Sequence, residues 1–190
     1  MSRQSLPLVT PEEYLDYDRA SDVKNEYVFG EIVAMAGGTV SHALLTMNAA
    51  GELYRHLSGG KCRVYSSDVR VCIDRRSSYS YPDVTVVCGP AEGVDEKRDT
   101  VTNPKVIVEV LSPRTRNYDL GDKARMYSRI PSLTDLLLIE QDRVSIEHWR
   151  RLANDHWDIS NIADRQGIVR IESVGCELRV ADIYSGVEFA

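Results

Sequence analysis

The stretch that decides the fold runs over residues 81–123. It opens with Tyr81-Pro82-Asp83-Val84-Thr85-Val86-Val87, a carboxylate at the mouth of an aliphatic strand. It continues through Lys105-Val106-Ile107-Val108-Glu109-Val110-Leu111, a second aliphatic strand with a carboxylate near its far end. It closes on Asp119-Leu120-Gly121-Asp122-Lys123-Ala124-Arg125, which reads as a helix start, with Asp119 as cap, Asp122 at the third position and Lys123 in the first turn. The run from Val106 to Leu111 has no period-two alternation, so its strand is expected to be buried on both faces, as parallel or central strands are.

Glu109 interrupts that apolar run. An ionised carboxylate taken out of water costs several kcal/mol unless a cation or hydrogen-bond donors compensate it. Three compensations are open: a buried arginine, a raised pKa, or a divalent metal. If the Asp83 and Glu109 strands run antiparallel, the start of one meets the end of the other, and both carboxylates reach one edge of the sheet. Such a pair suits Mg²⁺, which takes one or two carboxylates and completes its shell with water and phosphate oxygens. A lysine in a helix's first turn opposes the helix dipole by about 0.3–1 kcal/mol. If Leu136-Leu137-Leu138-Ile139 is a strand parallel to the Glu109 strand, the helix is a right-handed crossover. Its start then lies past the carboxyl end of the Glu109 strand, where open α/β sheets place their sites. Lys123 either reaches the acids there or is a solvated lysine paired to Asp119 or Asp122.

Taken together, these residues resemble the PD-(D/E)xK nuclease superfamily. More narrowly, the chain resembles the Uma-two family, a bacterial group of restriction-endonuclease-like proteins. The similarity is carried by Asn25-Glu26-Tyr27-Val28-Phe29-Gly30-Glu31-Ile32-Val33-Ala34-Met35, Ser41-His42, Tyr81-Pro82-Asp83-Val84, Val108-Glu109-Val110-Leu111-Ser112-Pro113 and Tyr118-Asp119-Leu120-Gly121-Asp122-Lys123-Ala124-Arg125-Met126-Tyr127. The superfamily sets its lysine two residues after the strand acid, where this chain has Leu111. The resemblance implies that Lys123 supplies the ammonium from the helix. It makes Glu26 and Glu31 candidates for accessory acids, against the ordinary reading of hairpin-tip glutamates as solvated, and both are kept out of the core site. It also implies an α/β fold: a restriction-endonuclease-like mixed sheet flanked by helices, with an added N-terminal hairpin and a β-rich C-terminal extension. One domain over residues 1–190 is expected, with a core at about 41–142 and the extension at about 143–190.

Composition is that of a globular protein, with 43% hydrophobic and 27% charged residues. The net charge of −6 counts against indiscriminate binding to bulk DNA, which runs on phosphate neutralisation. A local basic patch is still open, either Arg114, Arg116, Lys123, Arg125 and Arg129 or Lys61, Arg63, Arg70, Arg75 and Arg76; each is equally readable as a solvated face. Cys62, Cys72, Cys88 and Cys176 lack C-x-x-C spacing and read as buried thiols of a reducing compartment. The four histidines show no zinc-ligand spacing. No signal peptide or membrane span is read, so a cytoplasmic location is expected.

Elsewhere, Thr10-Pro11-Glu12-Glu13 reads as a capped helix start, with the helix ending near Asp18. A hairpin follows with Gly30-Glu31 as its turn. Ser41 is expected to cap a helix whose apolar face is Leu44, Met47, Ala50, Leu53, Tyr54 and Leu57. His42, in its first turn, is either a phosphate or water contact or a structural histidine. Residues 63–73 read as one strand with Asp68 at a turn or bulge. Residues 91–102 form a polar excursion open to reading as a lid, a partner contact or a mobile loop. The β-rich tail extends the sheet or packs against a twin subunit.

The resulting expectation is a Mg²⁺- or Mn²⁺-dependent endonuclease acting on DNA, with no membrane association and a homodimeric state. Asp83 and Glu109 hold the metal, Lys123 acts on the attacking water or the phosphate, and His42 and Arg116 contact substrate. The rival expectation is a nucleic-acid-binding or assembly protein with an idle nuclease fold.

Overall fold

The computed structural model describes residues 8–113 and 116–189. In chain order the first half runs α1 (Pro11–Ala20), β1 (Asn25–Val28), β2 (Glu31–Ala34), α2 (Val40–Leu57), β3 (Cys62–Ser66), β4 (Arg70–Asp74), β5 (Ser78–Ser80), β6 (Val84–Cys88) and β7 (Thr100–Val101). The second half runs β8 (Val106–Leu111), α3 (Arg116–Tyr118), a π-helical turn (Asp119–Lys123), α4 (Ala124–Tyr127), β9 (Asp135–Glu140), β10 (Ile146–Arg151), β11 (Trp157–Ile162), β12 (Ile168–Ile171), β13 (Cys176–Arg179) and α5 (Val180–Ile183). A six-stranded sheet has the order β11-β10-β9-β8-β6-β3, and a five-stranded sheet has the order β2-β1-β5-β4-β7. β12 and β13 pair by themselves.

The two strand relationships on which the site depends are both present. β6 and β8 are antiparallel, with Val84 opposite Val108 and Val86 opposite Val106. β8 and β9 are parallel, with Glu109 opposite Leu138. Every residue of β8 is buried, because two cores cover its two faces. Val106, Val108 and Val110 join Leu45, Ala49 and Leu53 of α2, while Ile107 and Leu111 join Ala124, Tyr127 and Leu138 on the other side. A strand covered twice has no solvent face, hence a text that is aliphatic at every position but Glu109.

Several local expectations shift. The Thr10 capping box forms as expected, with the Thr10 side chain accepting from the Glu13 amide and Glu13 accepting from the Thr10 amide, but α1 runs on to Ala20. The hairpin turns at Phe29-Gly30, both at positive φ, and not at Gly30-Glu31. That pair of left-handed residues is what a two-residue turn matched to strand twist requires. α2 starts two residues early, capped by Thr39 and not Ser41. Its buried row is Leu45, Ala49, Leu53 and Leu57, so Met47 and Tyr54 face outward. The expected and actual stripes share Leu53 and Leu57, and sequence spacing does not separate two stripes so little rotated about one axis.

Residues 63–73 are not one strand. The turn at Asp68 divides them into β3 and β4, which belong to different sheets. Cys62 and Cys88 lie opposite each other on β3 and β6 and form a disulfide, correcting the expectation of four thiols. They are 26 residues apart, so only strand register brings them together. Cys72 and Cys176 are buried thiols. The excursion over residues 91–102 is exposed along most of its length but ends in the buried β7, which pairs with β4. Its Asp95 and Asp99 are held by Arg19. β10 and β11 continue the main sheet beyond β9.

Candidate metal centre

Strand alternation aims Glu109 at the face covered by the helical segment that begins at Arg116. There Lys123 Nζ lies 2.9 Å from Glu109 Oε1, and the Tyr127 hydroxyl donates to the same oxygen at 2.6 Å. The expected placement of Lys123 in a helix's first turn is corrected. Among the described residues the helical run is already present at Arg116, so Lys123 sits about two turns in and ends the π-helical turn, away from the dipole penalty of a first turn. Asp119 is correspondingly a buried residue inside the segment, not its cap. π-helical turns are uncommon and concentrate at functional sites.

Glu26 is the residue that sequence reasoning set aside. It is buried on β1, and Lys123 Nζ is 2.9 Å from its Oε1. The pair is not aligned as a hydrogen bond, so this buried oxygen carries none. The expected turn at Gly30-Glu31 is one residue late, and a one-residue slip exchanges the faces on which strand residues such as Glu26 are read. The signal available was Tyr27: an aromatic residue directed into the Tyr14–Tyr79 cluster forces its strand neighbour Glu26 to the opposite face. Glu31 is exposed.

Asp83 immediately precedes β6, and one further step of the register sets it across from Glu109. Its Oδ2 accepts from the Val110 amide at 2.7 Å and lies 3.3 Å from His42 Nε2. His42 is in the first turn of α2, where its amide donates to Thr39 Oγ1. The preceding loop lies against the ring: a Cβ on Gly38 would stand 2.8 Å from His42 Nδ1, so any side chain there would displace the imidazole. The contacts therefore bring Glu26, Lys123, Glu109 and Tyr127 into one cluster. Asp83 and His42 are joined to it through Val110, the residue after Glu109.

Arg116 stands apart from this cluster, bound to Glu140 at the end of β9 together with Arg143. Arg114 lies outside the described residues. Of the second basic set, Arg70 is buried against Asp18 and contributes nothing to a surface patch.

Burial pushes the Glu109 carboxyl up to about 8; Lys123 opposes the shift, and Asp83, Asp119 and Glu26 add to it. Burial also pulls on the Lys123 ammonium, but Glu109, Tyr127, Glu26 and Asp119 more than offset it and hold the lysine charged. Burial and then Glu109 keep the Tyr127 hydroxyl protonated. The hydrogen bond to Asp83 raises His42 above the usual histidine range.

The donor set fits a hard divalent cation. Glu26 Oε1 is buried without a hydrogen bond, and among the described residues Glu109 Oε2 and Asp83 Oδ1 carry no hydrogen bond either. No three His, Cys, Asp or Glu side chains among the described residues gather closely enough to cage an ion by themselves. Mg²⁺ does not need such a cage, since it keeps much of its water.

A mixed sheet flanked by helices, with acids on two adjacent strands and a lysine on the crossing helix, defines a restriction-endonuclease-like protein. The chain matches the model of the Uma2 family, described as "Putative restriction endonuclease", over residues 11–181, and it belongs to that family. It is 35% identical over 185 residues to slr1290 of Synechocystis sp., an uncharacterized protein, covering 96% of this chain and 95% of that one. It is 32% identical over 155 residues to the uncharacterized sll1609 of the same organism, covering 82% and 88%. The fold is similar to the crystal structure of "a putative nuclease belonging to DUF820" from Anabaena variabilis, with a TM-score of 0.78, 16% identity, and coverage of 95% and 99%.

Proposed function

We propose that this protein is a Mg²⁺- or Mn²⁺-dependent endonuclease that hydrolyses phosphodiester bonds of DNA. The observation that carries the reading is the buried chain Glu26–Lys123–Glu109, set beside an Asp83 pinned to the next residue of β8. Asp83 and Glu109 would hold the metal, while Glu26 stays paired with Lys123. The metal supplies Lewis acidity toward the phosphate and a water made acidic enough to attack.

The chain's own groups do the rest. Val110 fixes the Asp83 carboxylate through its amide, and Tyr127 fixes Glu109. The Lys123 ammonium offsets negative charge growing on the phosphate oxygens, an effect that is larger out of water. His42, held by Asp83, is placed to orient water or contact a phosphate. Arg116 is a more distant substrate contact, engaged after release from Glu140. We further propose action in the cytoplasm and as a homodimer, the commonest closed assembly; no described helix is long and apolar enough to cross a membrane.

The test is cleavage of plasmid and oligonucleotide DNA under Mg²⁺ or Mn²⁺ by the wild type, Asp83→Ala and Glu109→Gln. Loss of cleavage in both folded variants is expected, and equal activity in all three removes these residues from the reaction. The net charge of −6 favours a second reading, an idle nuclease fold used for binding or assembly. Under that reading, calorimetric titration with Mn²⁺ gives no heat that depends on Asp83.

A further inference from the structure

We infer that Asp18 is the positioning residue for the acids of this site: one buried carboxylate on α1 ties the strand that carries Glu26 to the segment that carries Asp83. The inference rests on the metal-holding reading above and deepens it. Asp18 is far from the site in sequence and touches none of its acids.

Its carboxylate is nevertheless filled on both oxygens. Oδ1 accepts from the Asn25 amide at 2.8 Å and from Asn25 Nδ2 at 3.2 Å. Oδ2 accepts from Arg70 Nη2 at 2.6 Å, Arg70 Nε at 3.1 Å and the Tyr81 hydroxyl at 2.5 Å. The Asp18 side chain is 1% exposed and that of Arg70 3%.

Asn25 is the residue before Glu26, and Tyr81 is two residues before Asp83. The Tyr14 hydroxyl on the same helix also donates to the Asn25 carbonyl, at 2.7 Å, so Asn25 is gripped at its amide, carbonyl and side chain. Arg70 extends the tie to Thr100 on β7. α1 thus fixes β1 relative to the linker that leaves β5, its neighbour in the five-stranded sheet, and carries Asp83 into β6 of the other sheet. A buried charge with five donors is a costly device for stability alone, since apolar residues of similar size commonly do as well. What it adds is a unique relative placement of Glu26 and Asp83.

The test compares wild type, Asp18→Asn and Tyr81→Phe, the second of which removes only the hydroxyl. Arg19→Ala is the control, because Arg19 binds Asp95 and Asp99 at the outer end of the network without touching Asp18. Two readouts are taken well below the unfolding temperature: Mn²⁺ affinity by calorimetry, and hydrogen exchange at the Val110 amide with Leu137 as an internal reference. Outer partners of metal ligands commonly set about 10–100-fold of affinity, and a loss of that size is expected in both variants but not in Arg19→Ala. Faster exchange at Val110 with Leu137 unchanged is expected alongside it. If Asp18→Asn fails to fold, Tyr81→Phe decides. Unchanged Val110 exchange and Mn²⁺ affinity in a folded Tyr81→Phe overturns the inference. A wild type that binds no Mn²⁺ overturns the metal-holding reading instead, while Val110 exchange still decides whether Asp18 positions Asp83.

Discussion

Lys123 Nζ stands 2.9 Å from Glu109 Oε1 and, at the same distance, from Glu26 Oε1, so one ammonium bridges acids from two different sheets. All three side chains are at most one-tenth exposed. Removing either sign of charge leaves the other buried and uncompensated.

Lys123→Met is therefore expected to destabilise the fold by about 3–5 kcal/mol, the usual loss when one partner of a buried pair is removed. Adding Glu109→Gln to it should recover part of that loss, because the orphaned carboxylate goes too. Urea unfolding of the two single variants and the double variant reads the coupling. Simple addition of the two single losses would show that the pair does not interact.

Tyr127→Phe takes away the 2.6 Å donation to Glu109 and the contact with Ser80 Oγ, also 2.6 Å, without changing the packing of the ring. A loss of about 1–3 kcal/mol is expected for leaving buried polar groups unpaired. A variant as stable as the wild type in urea would mean that this hydroxyl does not hold Glu109.

The Glu109 carboxyl is raised from 4.5 to about 8 in the folded protein. The unfolded chain releases this proton first as pH rises, so between those values the folded state binds more protons and loses stability with increasing pH. Its contribution is complete below pH 4.5 and gone above about 8. Metal-free wild type should thus fall in stability relative to Glu109→Gln across that window in paired unfolding curves. A wild type that gains on the variant as pH rises has the opposite sign and contradicts the burial argument.

Of the four cysteines, Cys62 and Cys88 are bonded to each other. Thiol titration of the unreduced, denatured protein should count the two remaining thiols, Cys72 and Cys176. Four reactive thiols would mean the cross-strand bond is not formed.

The acids drew notice because Glu109 breaks an aliphatic run and Asp83 opens one; the antiparallel and parallel relations of β8 were only conditions that the text left open, which the strand pairing meets. Glu26 was not legible as part of the cluster. Its role depends on the turn at Phe29-Gly30, and a one-residue error in a hairpin exchanges the faces of the strand. The π-helical turn was hidden too, since nothing local in Asp119-Leu120-Gly121-Asp122-Lys123 distinguishes it from an ordinary helix start. Register between distant strands, which brings Cys62 to Cys88, and the folding of α1 over Asn25 and Tyr81, are tertiary facts with no short-range trace.

The most direct measurement is a crystal soaked in Mn²⁺ and read by anomalous scattering, for wild type and Asp83→Ala. The account predicts a peak held by Asp83 and Glu109 in the wild type and its disappearance in the variant. Saturating Mn²⁺ that leaves those two carboxylates bare, or a peak that persists without Asp83, would contradict it.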